Sequence, residues 1–450
     1  MCDRSRTDGH PNKVNEGELP FRLRLSRGAI WNLTATIFNQ GSVFVGNIVV
    51  ARIIGKQPFG EYSIAMSTLM TLAVLAQLSM GYTVSKYVAE FRSTDKEKVG
   101  RILGLCFIFS IVAACLGTLL VVMAAPLLAS VVLKAPHLST GLIIGSGYVF
   151  FTAVNGYQVG AFIGLEGYRG LSKAAMASGI ITVSGIALGA WWLGLAGALI
   201  GLSLTACLRC ILHTVWLRKE FISNGLSRTF HDIGSEAHVI RAFALPAALS
   251  GYVTLPAIWL GNAFLVRQPG GFDQMAIYNA AITVRMAVMF LPQVVNNVGM
   301  PILNNYKGCG DREMYRRAFW TTLAVNAGLV LFASLIMMGL GPMILDLFGK
   351  NFDGAFPVLR VLLLAALIEG IAITVYQVIQ SHAMLWQSFG CIAIPYCALF
   401  VALAYGLTPS FGALGLAFAY TGGWCVNLLS TCLLARGILS VWQVPQEEVL

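Results

Sequence analysis

Residues 102–124 read ILGLCFIFSIVAACLGTLLVVMA, an uninterrupted run without a charged side chain. A helix that crosses the hydrocarbon core of a bilayer needs about 20 such residues. Comparable runs recur from residue 28 to residue 436, and the chain is 57% hydrophobic but only 11% charged, against roughly 25% charged in soluble domains. A water-soluble globule of 450 residues could not bury so much apolar surface. These features predict an all-α integral membrane protein and exclude most cytoplasmic enzymes.

About twelve transmembrane helices follow from the apolar runs and the short connections between them. Their predicted positions are 28–50, 62–85, 102–124, 140–164, 172–193, 196–217, 241–266, 276–303, 317–340, 356–381, 386–407 and 412–435. The chain accordingly divides into five predicted segments: an N-terminal segment 1–27, a first six-helix lobe 28–218, a connection 219–240, a second six-helix lobe 241–436 and a tail 437–450.

Basic residues predict the orientation of these spans. With the N-terminus in the cytoplasm, the connections on that side carry 23 of the 30 Lys and Arg residues, and those on the opposite side carry six. Cytoplasmic loops of membrane proteins collect Lys and Arg, so both termini and the connection 219–240 are predicted to be cytoplasmic. The same rule accounts for the net charge of +10, and we therefore expect no nucleic-acid partner.

The two lobes resemble each other when the chain is aligned with itself at a shift of nearly half its length. Asp95 aligns with Asp311 at an offset of 216, and Gly194 aligns with Gly412 at an offset of 218. Six spans per half is an even number, so both halves have the same orientation and their symmetry axis runs along the membrane normal. Parallel repeats of this kind are typical of transporters whose substrate site lies between two bundles.

Motifs of an enzyme or of an ATP-driven motor are missing from the sequence. The Gly-Lys pairs at 55–56 and 349–350 lack the earlier glycine and the following Ser or Thr of a phosphate-binding loop. The six histidines are scattered, and Cys207 and Cys210 form a C-x-x-C pair without a second Cys/His pair nearby. We therefore expect no enzymatic activity, no cofactor and no metal site.

Two charged residues are predicted to lie near the middle of the membrane, Arg285 in the eighth span and Glu369 in the tenth. A charge at the bilayer centre costs about 3 kcal/mol on insertion scales, so it usually faces a cavity or a partner. The equivalent positions of the first lobe, at an offset of 216, hold Leu69 and Ala153, so that lobe lacks both charges. We predict that Arg285 and Glu369 line a substrate cavity and that, when it is empty, they neutralise each other or take up a proton. A purely structural buried pair is the alternative.

The other candidate ligands are amides inside the spans and arginines at their outer ends. Asn39 and Asn155 suit sugar hydroxyls, although hydrogen bonding between helices is the favoured interpretation for any single amide. Arg52 and Arg267 lie at the outer ends of spans one and seven. A snorkelling anchor and a pyrophosphate ligand are equally compatible with those positions.

The connection after the first span carries a recognisable family motif. Residues 50–62 read VARIIGKQPFGEY, which resembles the A-R-x-L-G-x-x-x-F-G-x-Y loop of polysaccharide-export flippases in the multidrug/oligosaccharidyl-lipid/polysaccharide (MOP) superfamily, with Ile54 in place of the usual Leu. Gly81-Tyr82 and residues 86–90 (KYVAE) are also similar to that group. Twelve spans favour the O-unit and exopolysaccharide flippases over the fourteen-span lipid II flippases.

The resemblance implies a MATE-like fold and a bacterial inner-membrane carrier of polyprenyl-pyrophosphate-linked oligosaccharide, with membrane lipids and a polysaccharide polymerase as further partners. In such a carrier two lobes rock about a central cavity that holds the saccharide and pyrophosphate, while the polyprenyl tail stays in lipid. A cation-coupled multidrug exporter of the same fold is the alternative, and an acidic cavity would distinguish it. A membrane-bound acyl- or glycosyltransferase would need a catalytic His or Asp motif, which the sequence lacks.

Overall fold

Six helices, labelled α1 to α6, build the first half of the chain, which we call the first bundle. The computed structural model describes residues 21–236, 253–349, 351–382 and 384–441. The helices are α1 Phe21–Ile54, α2 Lys56–Ala76, α3 Met80–Phe91, α4 Lys96–Leu127, α5 Leu138–Gly164 and α6 Tyr168–Ser223. A wider helical turn, Leu128–Val132, extends α4, and a short 3-10 turn, Ile233–Glu236, lies in the connection after α6.

The second half forms the second bundle, with helices α7 to α12. They are α7 Thr254–Val266, α8 Gly271–Gly308, α9 Arg312–Asp346, α10 Ala355–Ser381, α11 Leu385–Ser388 and α12 Ile394–Val441. The short α11 continues through a wider turn, Phe389–Ala393, into α12. The start of the predicted span 241–266 and most of the predicted terminal segments lie outside the described residues.

Within the described residues, nine helices are long and apolar enough to cross a membrane, and α7 is a shorter apolar helix. Two of the nine, the ones that contain α6 and α12, are each divided into two arms by a sharp bend. With both arms counted, the described part of the chain provides eleven such apolar segments in addition to the shorter α7, and it contains no β-strand. The predicted all-α integral membrane fold is therefore confirmed.

The bends of α6 and α12 lie at glycines whose backbone angles are rarely adopted by residues with a side chain. Gly194 has φ 58° and ψ −133°, and Gly412 has φ 55° and ψ −130°. The arms of α6 then pack face to face, because a Cβ at Gly189 would collide with the carbonyl oxygen of Gly197. The two bends occupy equivalent positions in the predicted repeat.

We expect Gly194→Ala to destabilise the protein by about 1–3 kcal/mol, because alanine is strained at these dihedral angles. A Cβ at this position would have no atom within 4 Å, so the effect comes from the backbone alone. Gly339→Ala is the matched control, since its Cβ would also meet nothing within 4 Å and its backbone is helical. Thermal unfolding in detergent measures the difference, and equal melting temperatures would contradict the strain.

The second crossing is interrupted where the sequence predicts one span at 62–85. A turn separates α2 from α3, and Leu78 and Ser79 in this turn have positive φ angles of 46° and 54°. The turn brings the backbone of Gly81 against α5, where a Cβ at Gly160 would collide with the Gly81 carbonyl oxygen. Gly156, Gly160 and Gly164 form a G-x-x-x-G-x-x-x-G repeat in α5. This repeat therefore serves close helix packing, as small residues at this spacing generally do.

Helix starts also repeat between the two bundles. Asp95 caps α4 by accepting a hydrogen bond from the backbone nitrogen of Lys98 at 2.9 Å, and Asp311 caps α9 by accepting one from Met314 at 2.9 Å. An N-cap carboxylate satisfies one of the free N–H groups at a helix start. The repeat in the sequence thus corresponds to a repeat of helix ends, whereas the boundaries of the five predicted segments stay a prediction.

The two bundles share a hydrophobic core at one end of the molecule. We call this end, where residues 54–56 and 267–271 lie, the closed end. The largest hydrophobic core combines both bundles there, with the rings of Phe59 and Phe348 6.2 Å apart. Two smaller cores, around Tyr157 and around Tyr315, each contain residues of one bundle only. The bundles therefore join at the closed end and have separate cores toward the opposite end.

Polar and backbone contacts also join the bundles. A Cβ at Gly60 would overlap the carbonyl oxygen of Phe272, so α2 and α8 touch through their backbones. Hydrogen bonds between helices in membranes contribute only about 0.6 kcal/mol each on average, so an interface of this kind can open. Side-chain hydrogen bonds across it are Asn279 to Ser63 (2.6 Å), Asn262 to Ser67 (3.0 Å), Trp259 to Thr68 (2.9 Å), Asn47 to Thr283 (3.0 Å) and Gln40 to Gln293 (3.1 Å).

Candidate substrate-binding site

A buried ion pair lies inside the second bundle, well within two long apolar helices. Arg285 is the fifteenth residue of α8, and Glu369 is the fifteenth residue of α10. At 1.5 Å per residue, each lies about 20 Å from the start of its helix. Tyr420 reaches the same point from the second arm of α12, after the bend at Gly412. Three helices that are distant in sequence thus converge on one charged cluster.

The three side chains form a closed triangle of hydrogen bonds. Arg285 Nη1 donates to Glu369 Oε2 at 2.6 Å and to the Tyr420 hydroxyl at 3.0 Å, and the Tyr420 hydroxyl donates to Glu369 Oε2 at 3.0 Å. The guanidinium carbon also lies 4.9 Å from the centre of the Tyr420 ring, within the range of a cation–π interaction. Charge and hydrogen bonding together offset the cost of burying both ions.

The cluster leaves donor capacity unused. Arg285 Nε is buried without a hydrogen-bond partner among the described residues. The hydrogen bonds of the described residues also leave Arg285 Nη2 and Glu369 Oε1 free. A guanidinium has five N–H donors in a fixed fork that matches phosphate and carboxylate oxygens. This arginine therefore retains the two neighbouring nitrogens that could bind an anion.

Aromatic side chains of α12 cover the pair. The ring of Tyr420 lies 6.3 Å from that of Trp424, and Trp424 lies 5.5 Å from Tyr396. With this cover, Arg285 and Glu369 are only 5% and 8% exposed. The Trp424 indole N–H is buried and has no partner among the described residues. A ligand can reach the arginine only if α8, α10 and α12 move relative to one another.

The first bundle has a different polar cluster, which the sequence predictions describe only in part. Asn155 Nδ2 donates to Gln158 Oε1 at 2.9 Å and lies 2.8 Å from His213 Nδ1. Gln158 in turn donates to the hydroxyl of Thr214 at 2.8 Å. Asn155 therefore takes part in hydrogen bonds between α5 and α6, as the sequence analysis favours for any single amide. It does not contact Arg285.

His213 and Arg209 are polar residues of this cluster that sequence reasoning did not select. They lie four positions apart on α6, and one Arg209 nitrogen donates to the hydroxyl of Thr152 at 3.3 Å. His213 Nε2 and Arg209 Nε are buried and have no partner among the described residues. The sequence did contain a signal, because Arg209 and His213 are basic residues at i and i+4 within an apolar run. The topology prediction, however, counted Arg209 among the basic residues that flank the cytoplasmic connection 219–240.

The remaining predicted ligands lie apart from the ion pair. Arg52, in the last turn of α1, and Arg267, directly after α7, are both exposed at the closed end. Arg285 is about 20 Å farther along α8. Asn39 is exposed and forms no hydrogen bond among the described residues, whereas Asn47 on the same helix contacts the second bundle. Of the six predicted site residues, the structure brings together only Arg285 and Glu369.

Comparison with known proteins identifies the family. A family of polysaccharide biosynthesis proteins matches residues 25–307, more than half of the chain. The chain belongs to this family. One relative is the EPS I polysaccharide export inner membrane protein EpsE of Ralstonia solanacearum, 22% identical over 432 residues that cover 93% of this chain and 95% of the relative. The protein of the same name from Ralstonia nicotianae is 20% identical over 415 residues, covering 91% and 93%.

Solved transporter structures share the fold of this polysaccharide biosynthesis family protein. An inward-facing multidrug resistance MATE family transporter of the MOP superfamily matches with a TM-score of 0.75 at 15% identity, covering 92% of this chain and 99% of that one. A MOP superfamily transporter from Pyrococcus furiosus, described as having a binding pocket of reverse polarity, matches at 0.70 and 17% identity, covering 94% and 96%. The chain thus has a MATE-like membrane fold, and together with the family match this confirms the resemblance that residues 50–62 indicate.

Proposed function

We propose that this family member is an inner-membrane flippase that moves polyprenyl-pyrophosphate-linked oligosaccharide across the bilayer by alternating access of its two bundles. Both Ralstonia relatives are polysaccharide export inner membrane proteins, which supports polysaccharide export as the activity. The observation that carries the substrate class is the buried Arg285, whose two free nitrogens lie at mid-membrane depth. A polar, anionic head group must cross that depth.

Arg285 suits a pyrophosphate group because its planar fork can hold two phosphate oxygens at once. In the empty site, Glu369 and Tyr420 occupy only Nη1. An arriving phosphate would take Nη2 and Nε and would compete with Glu369 for the positive charge. Because the phosphate would bind nitrogens that Glu369 leaves free, the buried arginine would keep an anionic partner throughout, which avoids a penalty of several kcal/mol.

The shared core suggests which side of the transporter is open. The orientation predicted from basic residues puts the closed end on the periplasmic side. In that orientation, the end at which the bundles have separate cores faces the cytoplasm. The structure would then correspond to a state that receives substrate from the cytoplasm. Release to the periplasm then requires the hydrogen bonds and the core at the closed end to separate, while the polyprenyl tail stays in lipid.

Both termini are expected to be cytoplasmic, because 23 of the 30 basic residues lie on that side of the predicted topology. A reporter enzyme that is active only in the periplasm should therefore show no activity when it is fused after Leu450. The same reporter inserted after Gly55, the single residue between α1 and α2, serves as the positive control. A strong periplasmic signal from the C-terminal fusion would overturn the predicted orientation.

Cells that lack the protein should accumulate oligosaccharide-lipid intermediates in the inner leaflet, because the head group cannot cross unaided. Extraction and quantification of lipid-linked oligosaccharides, with and without a plasmid-borne copy of the gene, measures this effect. We expect a several-fold rise and a matching loss of exported polysaccharide. Unchanged intermediates and export would contradict the proposed substrate.

A cation-coupled multidrug exporter is the second candidate, since multidrug transporters share the fold. Such an exporter needs uncompensated acidic residues for cationic drugs, but Glu369 is neutralised by Arg285 at 2.6 Å. No observation on the described residues favours this function. Raised drug sensitivity with normal export in cells without the protein would support it.

A further inference from the structure

A cavity of about 170 Å³ lies on the first bundle, away from the Arg285 cluster. Its walls are α4 with Phe107, α5 with Val154 and Tyr157, and α6 with Cys210, and Arg228 of the connection closes one end. The volume is close to that of engineered apolar cavities of roughly 150 Å³ that accept benzene. It therefore has room for one segment of a hydrocarbon chain, and its lining is mostly apolar.

The surface that α4 and α6 expose next to the residues lining the cavity is suited to lipid. Beside it on α4, Ile108 and Val112 are 38% and 50% exposed, and on α6, Ile211 and Val215 are 53% and 48% exposed. A rim made of exposed aliphatic side chains indicates contact with acyl chains and not with an aqueous channel. This surface of α4 and α6 lies apart from the second bundle, since the contacts with that bundle are made mainly by α1 and α2.

Arg228 puts a positive charge at the mouth of this cavity. Its guanidinium carbon lies 4.4 Å from the centre of the Phe107 ring and 5.5 Å from that of Phe221. Among the described residues, no carboxylate lies within salt-bridge distance of it. The neighbouring Thr229 anchors the segment, since its backbone nitrogen donates to the carbonyl oxygen of Gly100 at 3.0 Å. The cation is therefore held in place without a protein anion.

Tyr157 adds a polar group inside the same cavity. Its side chain is only 1% exposed, and its hydroxyl has no hydrogen-bond partner among the described residues. A buried hydroxyl without a partner is destabilising, so a ligand oxygen at this point would be stabilising. The nearby Gln158 amide does not donate to the Tyr157 hydroxyl, because its nitrogen already donates to Cys210 and Thr214 of α6.

We infer that this groove binds one anionic phospholipid of the cytoplasmic leaflet, with the phosphate on Arg228, an ester oxygen at the Tyr157 hydroxyl and the start of an acyl chain in the cavity. Basic pockets between transmembrane helices on the cytoplasmic side characteristically hold anionic head groups. The connection that carries Arg228 is on the predicted cytoplasmic side. The site is separate from the transport cluster, so the inference does not depend on which glycan is carried.

The test compares the binding of phosphatidylglycerol and phosphatidylcholine of equal chain length to the purified full-length protein by native mass spectrometry. Wild-type protein should bind phosphatidylglycerol about tenfold more tightly. Arg228→Gln should abolish this preference, and Arg228→Lys should keep most of it. Ile111→Trp, which fills the cavity from α4, should weaken both lipids. Tyr157→Phe should weaken both by a few-fold, as expected for one neutral hydrogen bond.

Arg218→Gln is the matched control, because Arg218 is an exposed arginine at the end of α6 that does not line the cavity. It should leave the preference unchanged. An equal loss in Arg218→Gln and Arg228→Gln would mean that binding reflects general surface charge and would overturn the site. Unchanged binding in Ile111→Trp would exclude chain insertion. If a polyprenyl phosphate displaces phosphatidylglycerol at a lower concentration, the groove binds a polyprenyl lipid, and the assignment of a phospholipid is wrong.

Discussion

Arg285→Ala is expected to reduce polysaccharide export to background, the largest effect of any single substitution in this protein. The change removes the only cation in the cluster and leaves Glu369 and Tyr420 facing each other, so nothing remains to hold an anionic head group. Export measured in cells that carry only the variant gene, normalised to membrane abundance, gives the result. Arg285→Lys should retain little activity, because an ammonium group lacks the planar fork.

A paired variant separates transport from stability. Breaking a buried ion pair on one side costs about 3–5 kcal/mol, whereas replacing both partners by apolar residues is often neutral or stabilising. We therefore expect Arg285→Met with Glu369→Leu to restore the amount of folded protein without restoring export. Arg360→Ala, which removes an exposed arginine from α10 beside Phe356, is the control and should export normally. Export by the paired variant at the wild-type level would contradict a substrate role for the cluster.

Locking the closed end should stop export reversibly. Asn279 Nδ2 and Ser63 Oγ lie 2.6 Å apart across the two bundles, so cysteines at both positions face each other, and a disulfide needs only a small approach of their Cβ atoms. Alternating access requires this contact to open in every cycle. We expect oxidation of Ser63→Cys/Asn279→Cys protein to reduce export at least tenfold, and a reductant to restore it.

The single variants Ser63→Cys and Asn279→Cys control for the loss of the hydrogen bond and for oxidation of the ten native cysteines. Each should export at nearly the same rate with and without oxidant. Full export by oxidised, fully cross-linked double-cysteine protein would mean that the closed end stays shut during transport. Alternating access in the proposed form would then be wrong, although the role of Arg285 would not be affected.

Several features of the fold follow from short stretches of sequence. The positions of most apolar helices can be predicted from apolar runs, because the thickness of the bilayer fixes how many residues each helix needs. The bends at Gly194 and Gly412 coincide with a repeat visible in the sequence. Arg285 and Glu369 could be expected to meet, since a charge in the middle of an apolar span needs a partner and few other charges are available at that depth.

Other features depend on which helices pack together. Nothing in the sequence distinguishes Tyr420 from the other tyrosines, yet only its position in the second arm of α12 completes the triangle with Arg285. Asn47 and Asn155 are similar amides in similar apolar runs, but Asn47 crosses to the second bundle while Asn155 contacts His213 within the first.

The shared core at the closed end and the Arg228 groove likewise bring together residues from distant parts of the chain. The length of an apolar run and the presence of a charge within it are local properties of the sequence. Their energetic consequences in water and lipid do not depend on distant residues, so they can be predicted from the sequence. The choice of hydrogen-bond partner depends on helix rotation and on contacts far apart in sequence, and only the packed structure determines those.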